Sequence, residues 1–229
     1  IDFKTLNISR YESFEDTFRI FNCYLDGLVF RTDAHSKLIQ ASKFFNFPII
    51  NALSDVSHPC QTISDLITLY QNFNKLDLNI YWFGDINNVC YSLIEATKIF
   101  KEINLLISSS KKIINLSNHI IKNLDNVRVT DEIDYDFLNI ADCVMTDVYE
   151  SMNDESDFDK LNSLKKFKID KKIMSNTKKN CKFMHCLPTN YVEVEKNIVF
   201  GDKSLVIEQA KNRTLGQKRI LQSLDWTNK

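Results

Sequence analysis

The residues able to do chemistry stand in four short clusters. These are His58, Cys60 and Gln61 in "HPCQ", Asn88 in "GDINN", Asp147 in "TDVYESM", and His185, Cys186 and Leu187 in "FMHCLP". His185 beside Cys186 suggests a thiol nucleophile with its base, or half of a metal site. Neighbours on a strand point to opposite faces, however, so the two side chains cannot readily act as a pair. A metal site is weakly supported, because His58 has no second His at helical spacing. "WFGDINN" could be a strand, turn and helix around a dinucleotide, but Ile86 stands where G-x-G-x-x-G needs its second glycine. Hydrogen-bonding and charge chemistry remain. His58 and Gln61, one turn apart at a helix opening, could donate to a small polar ligand or serve the fold alone. Asn88 could bind a ligand or cap its helix. Asp147, following an apolar strand, could hold an ammonium group or cap the next turn.

Those clusters need elements that place them. "SFEDTFRIFNCYL" reads as a helix capped by Ser13, with Phe14, Phe18, Phe21 and Leu25 on one stripe. "GLVFRT" follows as a strand, then a helix near 36–45 and the strand "PIINA". "HPCQTISDLITLYQNF" is helical, with Pro59 at its opening, where proline is tolerated. "LNIYWFGD", "INLLIS", "VRVT" and "DCVMTD" are strands separated by helices. Two short helices, the strands "KFMHC" and "SLVIE", and a helix over 208–224 complete the chain. Repeated strand–helix–strand units imply parallel sheets covered by helices on both faces. Ligands in such sheets sit at the carboxyl ends of strands. Arg31, His58, Gly84 to Asn88, Asp147 to Met152 and His185 to Pro188 all stand there.

Composition excludes several classes of partner. A length of 229 residues, 44% apolar and 26% charged, suits one large or two small globular domains. A net charge of -1 gives no electrostatic case for nucleic acid or an anionic membrane. The lysines between 165 and 172 are flanked by acids and read as a solvated face. No run of about eighteen apolar residues could span a bilayer, and the first residues lack the order of a signal peptide. Six cysteines stand singly, as buried thiols in a reducing cytoplasm would. Only four glycines are present, so other residues must make tight turns.

Taken in order, "HPCQ", "GDINN", "TDVYESM" and "FMHCLP" resemble the ornithine carbamoyltransferases, whose pattern is H-P-x-Q, G-D-x-N-N, D-x-x-x-S-M-G and H-C-L-P. "ESFEDTFRIFNCYLDGLVFRT" and "SLVIEQAKNR" extend the likeness over essentially the whole chain. The resemblance implies an α/β fold of two doubly wound parallel-sheet domains, with a C-terminal helix packing back on the first. Residues 1–70 would be the C-terminal part of a carbamoyl-phosphate-binding domain, residues 75–205 an ornithine-binding domain, and residues 206–229 the returning helix. It also implies carbamoyl transfer from carbamoyl phosphate to the ornithine side-chain amine, giving citrulline and phosphate. No metal or organic cofactor takes part, and a cytoplasmic homotrimer in arginine metabolism is expected.

Site residues follow by the same likeness. Arg31 and His58 would polarise the carbamoyl carbonyl, Gln61 would orient its NH2 group, and Arg213 would contact the reacting group. Asn88, Asp147, Ser151 and Met152 would hold the amino acid. Cys186 would lie near the attacking amine, with Leu187 offering its carbonyl and Leu187–Pro188 in the cis form that an X-Pro bond permits. Four departures accompany the match. The S-x-R-T-R phosphate motif is not in the sequence, so the first domain is expected to be present only in part. Asn7 stands where a His or Gln reaches a neighbouring subunit. Asn153 replaces the glycine of S-M-G, and Thr189 to Tyr191 replace A-H-R. Two alternatives therefore stay open: an inactive binding or assembly subunit, and a carbamoyltransferase for another amine.

Overall fold

A computed structural model describes residues 13–122, 124–150 and 157–226. Helix α1 (Phe14–Tyr24) starts at Ser13, whose hydroxyl accepts from the Asp16 amide. Its Phe14, Phe18, Phe21 and Leu25 face one aromatic core with Phe30, Phe45 and Phe47. Phe18 meets the Phe45 ring at 5.0 Å, and Phe45 stacks on Phe47 at 4.4 Å. Strands β1 (Leu28–Arg31) and β2 (Ile49–Leu53) pair in parallel, joined through α2 (His35–Ala41). That helix ends short of the expected 36–45 span. Phe45 and Phe47 must turn into the Phe18 cluster, and Pro48 disfavours helix in the residue before it.

The second unit begins beyond α3 (Pro59–Phe73). It alternates β3 (Asn79–Phe83), α4 (Asn88–Ile99), β4 (Asn104–Ser108), α5 (Lys111–Ile121), β5 (Val127–Thr130), α6 (Tyr135–Ile140) and β6 (Cys143–Thr146). The helices α7 (Phe158–Leu164) and α8 (Lys171–Ser175), strand β7 (Lys182–His185) and helix α9 (Lys196–Val199) follow. The sheet order is β5-β4-β3-β6-β7, every pair parallel. Ile80, Trp82, Leu105, Ile107, Met145 and Met184 enter one core, while Tyr81, Phe83, Leu106, Val144 and Phe183 enter the core on the opposite face. Strands buried on both faces read as unbroken apolar runs, as these do. The chain order reverses between β3 and β6, so the crevice for a ligand opens at their carboxyl ends. Among the described residues, no helix is long and apolar enough to cross a membrane.

"SLVIE" is not a strand: Ser204 makes a single bridge to Phe183, and α10 (Val206–Ser223) begins two residues later, before the expected residue 208. The Ser204 hydroxyl accepts from the Val206 amide, and Leu205 and Val206 bury at the helix opening, one in each core. The α4 cap is Asn87 rather than Asn88, its side chain accepting from the Val89 and Cys90 amides.

Helix α10 packs back along α3. Ser64 Oγ donates to the Gln209 carbonyl at 2.5 Å, and Asn212 Nδ2 donates to Thr68 Oγ1 at 2.9 Å and Gln71 Oε1 at 2.8 Å. Gly216 allows the approach, since a Cβ there would lie 3.1 Å from Ile63 Cγ2 and 3.4 Å from Ile67 Cδ1. Beyond α10, Trp226 covers Gly27 of the first unit. Gly216→Leu must overpack this contact and should destabilise the chain by about 1–3 kcal/mol in urea unfolding. An unchanged midpoint would mean that the helices do not pack as closely as described.

Candidate functional site

His58 precedes the first turn of α3, with Pro59 at the position whose missing N–H costs no helical bond. Its backbone N–H donates to Ser92 Oγ at 2.7 Å, and Ser92 Oγ donates to the Asn88 carbonyl at 2.9 Å. Asn88 Nδ2 closes the circuit on the Ser54 carbonyl at 2.7 Å. The openings of α3 and α4 and the loop after β2 are thus bonded to one another. The His58 ring is buried, with Nε2 3.3 Å from Arg213 Nη1. A guanidinium only donates, so Nε2 accepts and the neutral ring carries its hydrogen on Nδ1. Nδ1 has no partner among the described residues. Burial, then the charges of Arg213 and Arg31, push the imidazole pKa down to about 4. Arg213 Nη1 also donates to Gln61 Oε1, while Gln61 Nε2 donates to Asp65 Oδ1 at 2.8 Å.

Across the crevice, Asp147 follows β6 and accepts from Asn87 Nδ2 at 2.8 Å. Burial pushes its carboxyl up to about 6, against the downward pull of His185 and the Asn87 bond. Gly84, at φ +98°, ends β3, and a Cβ there would lie 2.2 Å from the Tyr149 ring. The two strand ends at the switch point therefore touch both through Asn87–Asp147 and through Gly84–Tyr149. Beyond β7, Cys186 and Leu187 are half-buried and Leu187–Pro188 is cis. His185 is fully buried on the other face, its Nε2 2.8 Å from Glu193 Oε1, which also accepts from Thr189 Oγ1. The departure at Thr189 thus brings a hydroxyl that helps to hold this turn.

His58, Gln61 and Arg213 are in direct contact. Arg31 is exposed at the end of β1, and its charge reaches both His58 and Cys186. Burial, then Asp147 and Asp65, raise the Cys186 thiol, and Cys186 packs partly buried against the core that holds Met184 and Tyr149. Asn88 joins through Ser92. Ser151 and Met152, with Asn7 and Asn153, lie outside the described residues. Asn87, Asp65 and Gln209 were missed from sequence. Asn87 is a preferred capping residue directly before a helix, and Asp65 lies four residues from Gln61 on one helical face, so both had local signals. Gln209 had none. Surface cavities of about 250 Å³ and 540 Å³ lie elsewhere and include none of these residues.

Residues 76–224 match the family model described as the aspartate/ornithine carbamoyltransferase Asp/Orn binding domain, and residues 1–71 match the carbamoyl-P binding domain of the same family. The chain belongs to the aspartate/ornithine carbamoyltransferase family. It is similar to the ornithine carbamoyltransferase of Methanococcus aeolicus, 34% identical over 93% of this chain and 74% of that protein. A Bacillus cereus ornithine carbamoyltransferase is 33% identical over 96% and 72%. Among solved structures, that of the Thermus thermophilus enzyme superposes with a TM-score of 0.82 at 26% identity, over 96% of this chain and 74% of that one. The Pyrococcus furiosus enzyme gives 0.81 at 28%, over 95% and 72%. The chain is accordingly a carbamoyltransferase, with parts matching both substrate-binding domains of the family.

A carbamoyltransferase of this geometry needs no thiolate. Burial, reinforced by Asp147 and Asp65, holds the Cys186 thiol well above the usual range. With iodoacetamide at pH 8, exposed Cys23 should be alkylated at least about tenfold faster than Cys186, as mapped by peptide mass spectrometry. Faster reaction at Cys186 would restore the nucleophile reading.

Proposed function

We propose that the chain transfers the carbamoyl group of carbamoyl phosphate to the side-chain amine of ornithine, giving citrulline and phosphate. The observation that carries this reading is the placement of a buried carboxylate, Asp147, across the crevice from a neutral His58 held by Arg213. A cationic amino acid suits the first, and a polarised carbonyl suits the second. An ammonium beside Asp147 would favour its ionised form and relieve the cost of its burial. An acceptor such as aspartate would add a second anion there.

The step is a nucleophilic acyl transfer. The unprotonated side-chain amine attacks the carbamoyl carbon, a C–N bond forms, and negative charge gathers on the carbamoyl oxygen. The C–O bond to phosphate then breaks, and the proton lost by the amine leaves with the departing phosphate. Arg31, Arg213 and the unpartnered Nδ1–H of His58 are the donors proposed for the developing oxyanion, a role worth about 3–4 kcal/mol per donor. Gln61 Oε1 is the proposed acceptor for the carbamoyl NH2. Asn88, Asp147, Ser151 and Met152 are proposed to hold the α-amino and carboxylate groups. The Leu187 carbonyl accepts from the attacking amine, and Cys186 lies beside it. In this reading, residues 1–70 bind carbamoyl phosphate and residues 75–205 bind ornithine, with residues 206–229 carrying Arg213 back to the first part. A cytoplasmic homotrimer serving arginine metabolism completes the proposal.

The test supplies the chain with carbamoyl phosphate and a panel of amines, and measures carbamoylated product. Citrulline from ornithine, at the highest kcat/KM of the panel, is expected. Carbamoylation of a different amine alone, or ornithine binding without product, would overturn it, the latter in favour of a binding subunit. His58→Ala and Arg31→Ala should each lower turnover by at least about a hundredfold. Near-normal turnover in both would remove these residues from the site.

A further inference from the structure

Asp65 is the carboxylate on the buried face of α3, enclosed where α10 crosses. Its Oδ1 accepts from Gln61 Nε2 at 2.8 Å and from Gln209 Nε2 at 2.7 Å, while Oδ2 has no partner among the described residues. A fully buried carboxylate held by two neutral amides is costly, and an apolar residue would pack there without that cost. What the carboxylate adds is direction. When ionised it only accepts, so it selects the NH2 end of each amide and turns the oxygen end away. Gln61 Oε1 consequently faces Arg213. Gln209 Oε1 faces β7 and accepts from the His185 backbone N–H at 3.1 Å, one residue before Cys186.

We propose that Asp65 is a positioning residue for carbamoyl transfer, orienting the Gln61 amide oxygen toward the reacting group and, through Gln209, tying that amide to the turn that carries Cys186 and Leu187. The inference rests on the carbamoyl-transfer reading above. One carboxylate thereby sets the relation between the carbamoyl side of the crevice and the amine side. With either amide reversed, two hydrogen-bond donors would meet, at Arg213 or at the His185 N–H, or the carboxylate would face an amide oxygen.

The group is also placed to change charge within the working range. Burial pushes its carboxyl up to about 7; the two amides and Arg213 of α10 pull downward, while Asp147 after β6 pushes upward. The Cys143 and Cys186 thiols are the other titratable groups that feel its charge.

Glutamine-selective 15N labelling of the whole chain tests this without turnover. In the wild type, the Gln61 and Gln209 side-chain NH2 signals should move together with pH and share one midpoint near 7, and carbamoyl phosphate should shift the Gln61 pair. Asp65→Asn keeps the shape but should abolish the shared titration and weaken the half-saturation of that ligand shift about tenfold, the scale of one misdirected hydrogen bond. Gln209→Met covers the case in which Asp65→Asn does not fold: it should leave Gln61 titrating and, with histidine 15N-labelled as well, shift the His185 backbone amide. Gln61 and Gln209 NH2 signals that Asp65→Asn leaves in place, or that still titrate together in that variant, would overturn the proposal. A shared titration with no response to carbamoyl phosphate would instead overturn the carbamoyl reading of the site, and the positioning role with it.

Discussion

The crossing of α10 over α3 is the constraint on which the site depends. Each helix alone is an ordinary amphipathic segment. Together they place Arg213 against His58 and Gln61, and enclose Asp65 between two glutamine amides. Apolar contact at Gly216 brings the helices close, and the Ser64, Thr68 and Asn212 hydrogen bonds set their rotation. Because a buried donor or acceptor without a partner costs more than a typical bond gains, these polar contacts specify one arrangement rather than merely strengthening it.

The electrostatics of the crevice follow from that enclosure. Burial opposes charge on His58, Asp147, Asp65 and Cys186 alike, so the imidazole is driven neutral while the acids and the thiol are driven toward protonation. The result is a crevice with Arg213 against His58 and Gln61, and a buried carboxylate, Asp147, across from them. An incoming cation and a developing oxyanion would each answer a need already present. Preorganisation of this kind is where an acyl-transfer enzyme gains most, since the donors do not reorganise during the reaction.

Much of this was legible in the sequence, for reasons that differ between residues. The strands of the second sheet were readable because burial on both faces leaves unbroken apolar runs, as in "NIYWF" and "NLLIS". Ser13 and the Phe14–Phe18–Phe21–Leu25 stripe were readable because capping and helical period are local rules. "SLVIE" misled, because Leu205 and Val206 bury in two cores at a helix opening, and apolar runs do not distinguish that from a strand. The α4 cap falls to Asn87, the residue directly before the helix, while Asn88 turns to the Ser54 carbonyl. The pairing of Gln209 with Asp65 joins residues 144 apart in sequence, and no local pattern encodes such a contact.

Burial and then Arg213, delivered by α10, hold His58 neutral with its hydrogen on Nδ1. Histidine-selective 15N NMR tests it directly, since the chain has only four histidines. His58 should show the Nδ1–H neutral form from pH 8 down to pH 5 and become charged only near pH 4. Arg213→Met should release Nε2 and raise that pKa toward the ordinary value. A wild-type His58 titrating near 6.5, or one carrying its hydrogen on Nε2, would contradict it.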